Sequence, residues 1–241
     1  MKLQYETAYG TFLRRPNRFI AYIDVSGNEV ICHVPNTGRL RELLTPGAAV
    51  LLSFHPSVLR KTQYELRMVM KEGRWVSIDS QLPNLLAHEA IANDRLEELA
   101  GYSTIKREVT YQNSRFDIQL LHHQKDDRTD TFEAAPACFV EVKGVTLEKN
   151  GWGYFPDAPT ERGRKHIDEL IHAARHGYRA VLLFVVQTEK ADGFSPNAET
   201  DPAFAGKVKE AYMAGVEVLA YRCIVSPEEV TITVKLPVIL N

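Results

Sequence analysis

Short β-rich runs fill the first 80 residues of the chain, and this pattern constrains the fold more than any other feature. Glycine and proline turn signals separate the runs, and no long helical periodicity interrupts them. About five strands in about 80 residues is the size of an OB-type barrel, a fold often used for oligonucleotides, although an SH3-like barrel fits almost as well. The predicted strands are residues 18–25 (RFIAYIDV), 29–34 (EVICHV), 48–54 (AAVLLSF) and 64–70 (YELRMVM).

A helical pattern follows the predicted linker at residues 79–84 (DSQLPN). Its apolar side chains recur on one stripe, and the pattern ends at Gly101. Glu89 falls inside this stripe on a helical wheel, so we expect its carboxylate to face the neighbouring sheet. The stripe consists of Leu85, Ala92, Leu96 and Leu99.

The balance of charge also changes near residue 80. Residues 1–80 contain 11 Lys and Arg against 7 Asp and Glu, whereas residues 81–241 contain 18 against 24. This difference in sign indicates two domains with different roles. We expect a barrel over residues 1–82 and a second domain over residues 83–241.

Strands and helices alternate in the second segment. A helix is expected from Thr160, as its N-cap, to a stop at Gly177, and it buries Ile167, Leu170, Ile171 and Ala174. The predicted order is therefore α-β-β-β-α-β, followed by a helix and two strands. The predicted ranges are strands 103–111, 115–121, 138–147 and 178–187, a polar loop over 122–137, a helix over 204–214, and strands 216–221 and 230–235.

Apolar runs and cysteines exclude several classes of protein. The longest apolar run spans residues 180–186, which is far shorter than a bilayer span, and residues 1–10 lack the apolar block of a secretory signal. We therefore expect a soluble cytoplasmic protein with no membrane partner. The three cysteines are odd in number and widely spaced, and this favours buried free thiols over a disulfide framework or a zinc site.

Charged side chains interrupt the apolar strand predicted at residues 138–147 (CFVEVKGVTL). Glu141 and Lys143 are two residues apart, so both project from the same face, about 7 Å apart. Asp117 is likewise embedded in the preceding β-rich run. Two adjacent strands would then each present one carboxylate, although this pattern alone also fits a structural ion pair between the strands.

Convergent carboxylates would form an oxygen cage for Mg²⁺ or Mn²⁺. We expect the ligands to be Asp117, Glu141 and Glu89, because Mg²⁺ prefers hard oxygen ligands. In phosphodiester hydrolysis the metal polarises the phosphate and lowers the pKa of a bound water. Lys143 would stabilise the hydroxide or the transition state. The predicted catalytic residues are Asp117, Glu141 and Lys143.

In this strand order, the residues resemble the core of PD-(D/E)XK nucleases. Asp117 matches the first acid, Glu141 the second, Lys143 the lysine and Glu89 the optional glutamate of the first helix. Residues 115–117 (RFD) replace the usual Pro-Asp pair. The resemblance implies an α+β/α/β protein in which an OB-like β-barrel precedes a PD-(D/E)XK nuclease-like α-β-β-β-α-β domain.

Long motifs across nearly the whole chain resemble the sugar fermentation stimulation protein A family of bacteria and archaea. Pro159 stands where that family usually has an aliphatic residue. The resemblance implies an N-terminal OB-fold, a nuclease-like domain, sequence-nonspecific DNA binding and a regulatory link to maltose metabolism. The motifs are residues 35–38 (PNTG), 114–117 (SRFD), 140–147 (VEVKGVTL), 154–170 (YFPDAPTERGRKHIDEL), 194–196 (FSP) and 215–221 (GVEVLAY).

Basic residues in both segments are candidates for contacts with DNA, although ordinary solvated charge is an alternative. On the helix that starts at Thr160, Arg162 and Lys165 lie in the first turns, where the positive helix end favours an anion. His166 on the same helix is a candidate either to donate a hydrogen bond to a phosphate or to carry a proton. The candidates in the barrel are Arg14, Arg15, Arg18, Arg39, Arg41, Arg60 and Lys61, with Tyr22, Phe54 or Tyr64 as stacking surfaces.

The sequence thus predicts a DNA-binding protein with a Mg²⁺-dependent hydrolytic site. The main alternative is a non-enzymatic DNA-binding regulatory protein that keeps the nuclease architecture. RNA binding is a third possibility, because single strands are recognised by stacking on such barrels.

Overall fold

The computed structural model describes residues 1–56, 61–112, 114–122 and 136–240. Arg60 and most of the predicted polar loop lie outside these ranges. No helix within them combines the length and the apolar character needed to cross a membrane. All three cysteines are buried free thiols, as predicted.

Six strands form the N-terminal barrel. Their order in the sheet is β3-β2-β1-β4-β5-β6, and a short parallel pairing of Cys32 with Tyr64 joins β3 to β5 and closes the barrel. Its interior holds buried apolar side chains such as Phe12, Ile23 and Leu52. The strands are β1 (Glu6–Asn17), β2 (Ile20–Val25), β3 (Asn28–His33), β4 (Ala49–Phe54), β5 (Tyr64–Lys71) and β6 (Arg74–Ser77).

Nine further strands and three helices make up the rest of the described chain. They include the four strands and two helices expected between residues 103 and 214, together with short strands that the sequence pattern did not reveal. The elements are α1 (Leu82–Ala92), β7 (Thr104–Tyr111), β8 (Ser114–Leu121), β9 (Cys138–Val145), β10 (Leu147–Lys149), β11 (Trp152–Phe155), α2 (Glu161–Arg175), β12 (Arg179–Val186), β13 (Gly193–Pro196), α3 (Pro202–Met213), β14 (Glu217–Val225) and β15 (Val230–Lys235).

The larger sheet of the second half has the order β15-β14-β12-β9-β8-β7. Its central strands β9, β12 and β14 are parallel, and the outer strands pair antiparallel. Apolar clusters cover both faces: α1 packs on one side, and α2 and α3 pack on the other. This burial explains why β12 is apolar at nearly every position. A small sheet of β10, β11 and β13 lies beside it.

The apolar stripe predicted for α1 does not match the buried face of the helix, because Leu85 and Ala92 are both exposed. The helix starts at Leu82 with a proline in its first turn and buries Leu82, Leu86 and Ala90. Leu85 is 37% exposed. Leu96 and Leu99 are buried but follow the end of the helix, where the second belongs to a short 3₁₀ turn. The predicted stripe combines residues of α1 with residues that follow the helix, and for this reason the prediction also misplaced Glu89.

The limits of α2 confirm the prediction made from its end signals. The Thr160 hydroxyl accepts a hydrogen bond from the Gly163 amide and caps the helix, and Gly177 follows the end of the helix with a φ of +84°. The predicted apolar side chains, among them Ile167 and Leu170, pack against the sheet. The opposite side of α2 is left for polar residues.

The two halves of the chain meet along several direct contacts. The Ser77 amide at the end of β6 donates to the Gln187 carbonyl at the end of β12, at 3.2 Å. The Leu3 amide donates to the Glu228 carbonyl next to β15, at 2.8 Å. The domain boundary between residues 82 and 83 stays a prediction, and α1 begins at that point.

Candidate metal and nucleic-acid site

Asp117 lies where strands β8 and β9 begin to separate. The last ladder pair on this side is Ile118 with Val140, so the next position brings Asp117 opposite Glu141. The half-buried Asp117 carboxylate accepts hydrogen bonds from the Val142 amide at 2.8 Å and from the Asn84 side-chain amide at 2.6 Å. Strand β9 and helix α1 therefore fix this carboxylate jointly.

Glu141 is buried in the middle of β9 with only 2% of its side chain exposed. Its Oε1 atom accepts a hydrogen bond from the Lys143 ammonium at 2.6 Å and also contacts Nδ1 of His166 on α2. Its Oε2 atom is buried and has no hydrogen-bond partner among the described residues. A buried carboxylate oxygen without a partner is unfavourable, so it marks a position suited to a cation.

The electrostatics of the two carboxylates are coupled. Burial, followed by the nearby Glu141 charge, raises the pKa of Asp117 to about 6. Burial alone would raise the pKa of Glu141 too, but Lys143 and His166 outweigh it and hold that pKa below its usual value. Without a further cation, a proton is therefore retained more readily on Asp117 than on Glu141.

The donor set fits a hard divalent cation. Asp117 and Glu141 supply carboxylate oxygens, and one of these oxygens is buried and unpartnered. No group of three or more His, Cys, Asp or Glu side chains within the described ranges is arranged to hold a metal. A cation at this site would therefore complete its shell with water or substrate phosphate, as Mg²⁺ commonly does.

Glu89 does not join the other two acids. Its carboxylate pairs with the Met1 ammonium and with Arg95, each at 3.1 Å. Helix α1 instead presents Asn84 to Asp117. Sequence reasoning missed Asn84 because it assigned residues 79–84 to a linker, whereas Asn84 is the third residue of the helix.

On α2, one of the three predicted polar residues contacts the acidic pair directly. His166 contacts Glu141, and its other ring nitrogen faces the Arg162 Nε atom at 3.4 Å. Arg162 therefore reaches the acids only through the histidine. Lys165 is 71% exposed and pairs with Glu161 at 3.2 Å, so the structure does not bring it to them.

A cleft of about 770 Å³ opens beside Lys143, between the barrel and the second half. The second half contributes β9 and the segment that follows β11, and the barrel contributes the β1–β2 turn and the loop after β3. Arg15, Arg18, Arg39 and Arg41 all line it. The side chain of Gln187, which the sequence did not single out, lies at its wall with a buried, unpartnered Oε1 atom.

The four arginines of the cleft differ in what they bind. Arg15 donates to the carbonyl groups of four residues, among them Asn36 and Gly38, so it holds a loop instead of an anion. Arg18, Arg39 and Arg41 are exposed, and within the described ranges none of them forms an ion pair with a carboxylate. These three guanidinium groups are the uncompensated positive charge of the cleft.

The loop that carries Arg39 is tied to the second half by Asp157. The Asp157 carboxylate accepts hydrogen bonds from the backbone amides of Arg39 at 2.8 Å and Leu40 at 3.3 Å. A side chain at Gly38 would come within 2.7 Å of the same carboxylate, which explains the glycine in the PNTG motif. Asp157 therefore fixes the two walls of the cleft relative to each other.

Other candidates of the barrel lie away from the cleft. Arg14 pairs with Glu29 through two hydrogen bonds of 2.6 and 2.8 Å and lies over the Tyr22 ring, because neighbouring residues of β1 face opposite sides. Phe54 and Tyr64 are half-buried and pack against each other. None of these three aromatic rings lines the cleft.

Comparison with protein families finds matches over most of the chain. Residues 13–78 match the family described as SfsA N-terminal OB domain, and residues 81–229 match the family described as Sugar fermentation stimulation protein RE domain. The first match confirms the OB interpretation over the SH3-like alternative.

Curated relatives and a solved structure agree with these matches. The sugar fermentation stimulation protein homolog of Clostridium acetobutylicum is 42% identical over 240 residues, which cover 100% of both chains. The homolog of Clostridium perfringens (strain 13 / Type A) is 45% identical over 229 residues, or 95% of both chains. The structure of Pyrococcus furiosus SfsA in complex with Ca²⁺ has a TM-score of 0.85 and 31% identity, and the match covers 99% of both chains.

Proposed function

The chain belongs to the sugar fermentation stimulation protein family, and on the geometry of its cleft we propose that it binds DNA without sequence specificity and hydrolyses phosphodiester bonds with a divalent cation. The observation that carries this proposal is the buried Oε2 atom of Glu141 opposite Asp117, which has no hydrogen-bond partner in the part of the chain that the structure describes. Lys143, which contacts Glu141, lines a cleft with three exposed arginines that form no ion pair within the same part of the chain. Buried carboxylate oxygens are normally hydrogen-bonded, so an unpartnered one opposite a second carboxylate favours a cation site over a merely structural ion pair.

Each residue has a distinct task in this proposal. Asp117 and Glu141 would hold Mg²⁺ or Mn²⁺, and the similar Pyrococcus furiosus SfsA has been solved in complex with Ca²⁺, another hard divalent cation. The cation, when bound, supplies Lewis-acid polarisation of the phosphate and a lowered pKa for a bound water. Lys143, which lines the cleft and contacts Glu141, stabilises the negative charge that develops on the phosphate.

Two further groups support the acids and the substrate. His166 holds Glu141 Oε1 from the helix side and so orients the carboxylate. Arg18, Arg39 and Arg41 bind backbone phosphates along the barrel wall. Since all three contacts are to phosphates, affinity should fall steeply as the salt concentration rises and should depend little on base sequence.

A DNA-binding regulatory protein without nuclease activity is the second candidate function. The described residues offer two convergent carboxylates and no third acidic ligand, which also fits a site that docks phosphate without cutting it. A link to sugar metabolism would then arise through DNA binding alone.

The decisive experiment incubates supercoiled, linear and single-stranded DNA with the protein and either Mg²⁺ or Mn²⁺. We expect cutting by the parent and loss of cutting in Asp117→Ala, Glu141→Ala and Lys143→Ala. Glu199→Ala is the matched control, because it removes an 85% exposed carboxylate from the same half of the chain. Tight binding without cutting, unchanged by the three site variants, would favour the regulatory protein.

DNA affinity is tested separately by titration at several salt concentrations. Each phosphate contact removed should reduce the slope of log K against log salt by about 0.9. Replacing Arg18, Arg39 and Arg41 with glutamine should therefore lower the slope, whereas Arg14→Gln should leave it unchanged because Arg14 is paired with Glu29. Competition by RNA strands tests the RNA alternative, and tighter binding of RNA than of DNA would favour it.

A further inference from the structure

An exposed aromatic side chain lies next to two residues that line the cleft. Phe19 occupies the turn between β1 and β2 and is 52% exposed. Its neighbours Asn17 and Arg18 line the cleft, and the Arg18 guanidinium lies 5.7 Å from the Phe19 ring. A phosphate-binding cation and an apolar ring are therefore presented side by side.

The backbone of this turn is held firmly. Asn17 Oδ1 accepts hydrogen bonds from the amides of Phe19 at 2.9 Å and Ile20 at 3.0 Å. The Phe19 carbonyl accepts from the Val34 amide at 2.8 Å, and the Arg18 carbonyl accepts from Arg15 at 2.7 Å. The ring is thus displayed on a fixed support, which reduces the ordering cost when it binds a ligand.

The depth of the reactive side chains favours a flexible ligand. The cleft holds about 770 Å³ and is open to solvent, so its volume sets no upper limit on the size of the ligand. Lys143 lines the cleft and is only 13% exposed, so a phosphate must enter the cleft to reach the ammonium group. A single strand can bend its backbone into a cleft, whereas duplex DNA is stiff over about 150 base pairs.

We propose that the preferred substrate is single-stranded DNA and that Phe19 stacks on one of its bases while Arg18 binds the adjacent phosphate. This inference rests on the proposed function and specifies its substrate class. Stacking on an aromatic ring tolerates any base, so it agrees with binding that lacks sequence specificity. In this proposal the stacking surface is Phe19. It is not Phe54 or Tyr64, which are half-buried and pack against each other.

The test measures binding of a fluorescein-labelled DNA strand, alone or annealed to its complement, by fluorescence anisotropy in EDTA. Phe19→Ala should weaken binding of the single strand by about 5- to 100-fold. Binding of the duplex, which depends on phosphate contacts, should change by less than about twofold. Tyr212→Ala is the matched control, since Tyr212 is 58% exposed on α3, a helix that contributes no residue to the cleft, and it should change neither.

Phe19→Trp provides a second, direct readout. It should keep the parental affinity, and its added tryptophan fluorescence should be quenched by the single strand beyond any quenching of the parent. Unchanged single-strand binding in Phe19→Ala, equal losses for both forms of DNA, or no added quenching in Phe19→Trp would overturn the proposal.

The outcomes separate this inference from the hydrolytic function. If the parent cuts DNA but Phe19→Ala binds the single strand normally, the stacking role fails and the hydrolysis stands. If the site variants cut like the parent while Phe19→Ala loses single-strand binding, the assignment of the hydrolytic site fails and the stacking role stands.

Discussion

Two buried carboxylates in the second half of the chain differ in how completely their oxygen atoms are hydrogen-bonded. Asp201, 4% exposed, accepts hydrogen bonds from the amides of Thr160 and Phe204, both at 2.9 Å, and from Arg164 at 2.8 and 3.1 Å. Glu141, 2% exposed, has both of its partners on one oxygen and none on the other. The same fold therefore satisfies one carboxylate fully and leaves the other incomplete.

The difference indicates what each group does. Asp201 caps α3 and ties it to the start of α2, so its hydrogen bonds stabilise the fold. Glu141 is held in place by Lys143 and His166 but keeps an oxygen available, and this incomplete satisfaction costs stability. Four variants test this division between a structural and a functional carboxylate.

The largest expected effect is on cleavage by Glu141→Gln. Loss of a cation that contributes several kcal/mol to the transition state should reduce the rate by roughly 1,000-fold or more. Single-turnover cleavage of labelled DNA measures it, and circular dichroism checks that the variant is folded. A variant that cuts at half the parental rate would show that Glu141 is as structural as Asp201.

Asp201→Asn should instead lower stability. Arg164 and two helix-end amides would lose a charged acceptor, and we expect a decrease of about 2–3 kcal/mol in the free energy of unfolding. Urea denaturation measures this change. The cleavage rate per folded molecule should stay near the parental value. A loss of cleavage without a loss of stability would contradict the structural role assigned to Asp201.

Asp117→Asn should remove the pH dependence that Asp117 gives to the stability of the metal-free protein, while its single oxygen accepts only one of the two hydrogen bonds that the carboxylate accepts. Burial and the Glu141 charge raise its pKa to about 6, so the parent should lose stability as the pH rises from 4 to 6. The pH dependence of stability that Asp201 causes has the opposite sign. Burial acts to raise the pKa of Asp201, but hydrogen bonds from two backbone amides and from Arg164 outweigh burial and lower it. Its contribution should be lost only as the pH falls below the usual range of an aspartate.

Denaturation measured in EDTA from pH 3 to pH 8 distinguishes these two opposite pH dependences of stability. The slope between pH 4 and 6 should flatten in Asp117→Asn and persist in Asp201→Asn. A parental stability that does not vary over that interval would rule out the raised pKa of Asp117.

The smallest effect is expected from Glu89→Gln, which should leave cleavage and the Mg²⁺ dependence unchanged. Glu89 pairs with the Met1 ammonium and Arg95 and contacts neither Asp117 nor Glu141. A large loss of cleavage here, measured beside Glu141→Gln, would restore Glu89 as a third ligand.

Local signals in the sequence predicted much of the fold. The Thr160 cap and the Gly177 stop defined α2, and the unbroken apolar run of β12 predicted a strand buried on both faces. The two-residue spacing of Glu141 and Lys143 predicted that they share a face, and the structure brings them into contact. These features depend on periods and end signals that lie within one element.

Features that depend on residues distant in the sequence could not be predicted from local patterns. Strand β1 buries little besides Phe12, so its alternation is too weak to detect. The stripe predicted for α1 combined the helix with the turn that follows it and so misplaced Glu89, and the assignment of residues 79–84 to a linker hid Asn84. Arg15 resembled a phosphate ligand, yet its two terminal guanidinium nitrogens donate to carbonyl groups 3 to 24 residues further along the chain.

The bond from Asp157 to the Arg39 loop also bears on how this architecture can be re-engineered. A chimaera that joins this barrel to an unrelated catalytic module would lose the hydrogen bonds from the Arg39 and Leu40 amides to Asp157, and it would uncover Leu51 and Met68, which pack into the core of the second half. The arginines of the cleft would then no longer be aligned with the acids. A new host for the barrel would need a carboxylate in place of Asp157 and an apolar surface for those two side chains.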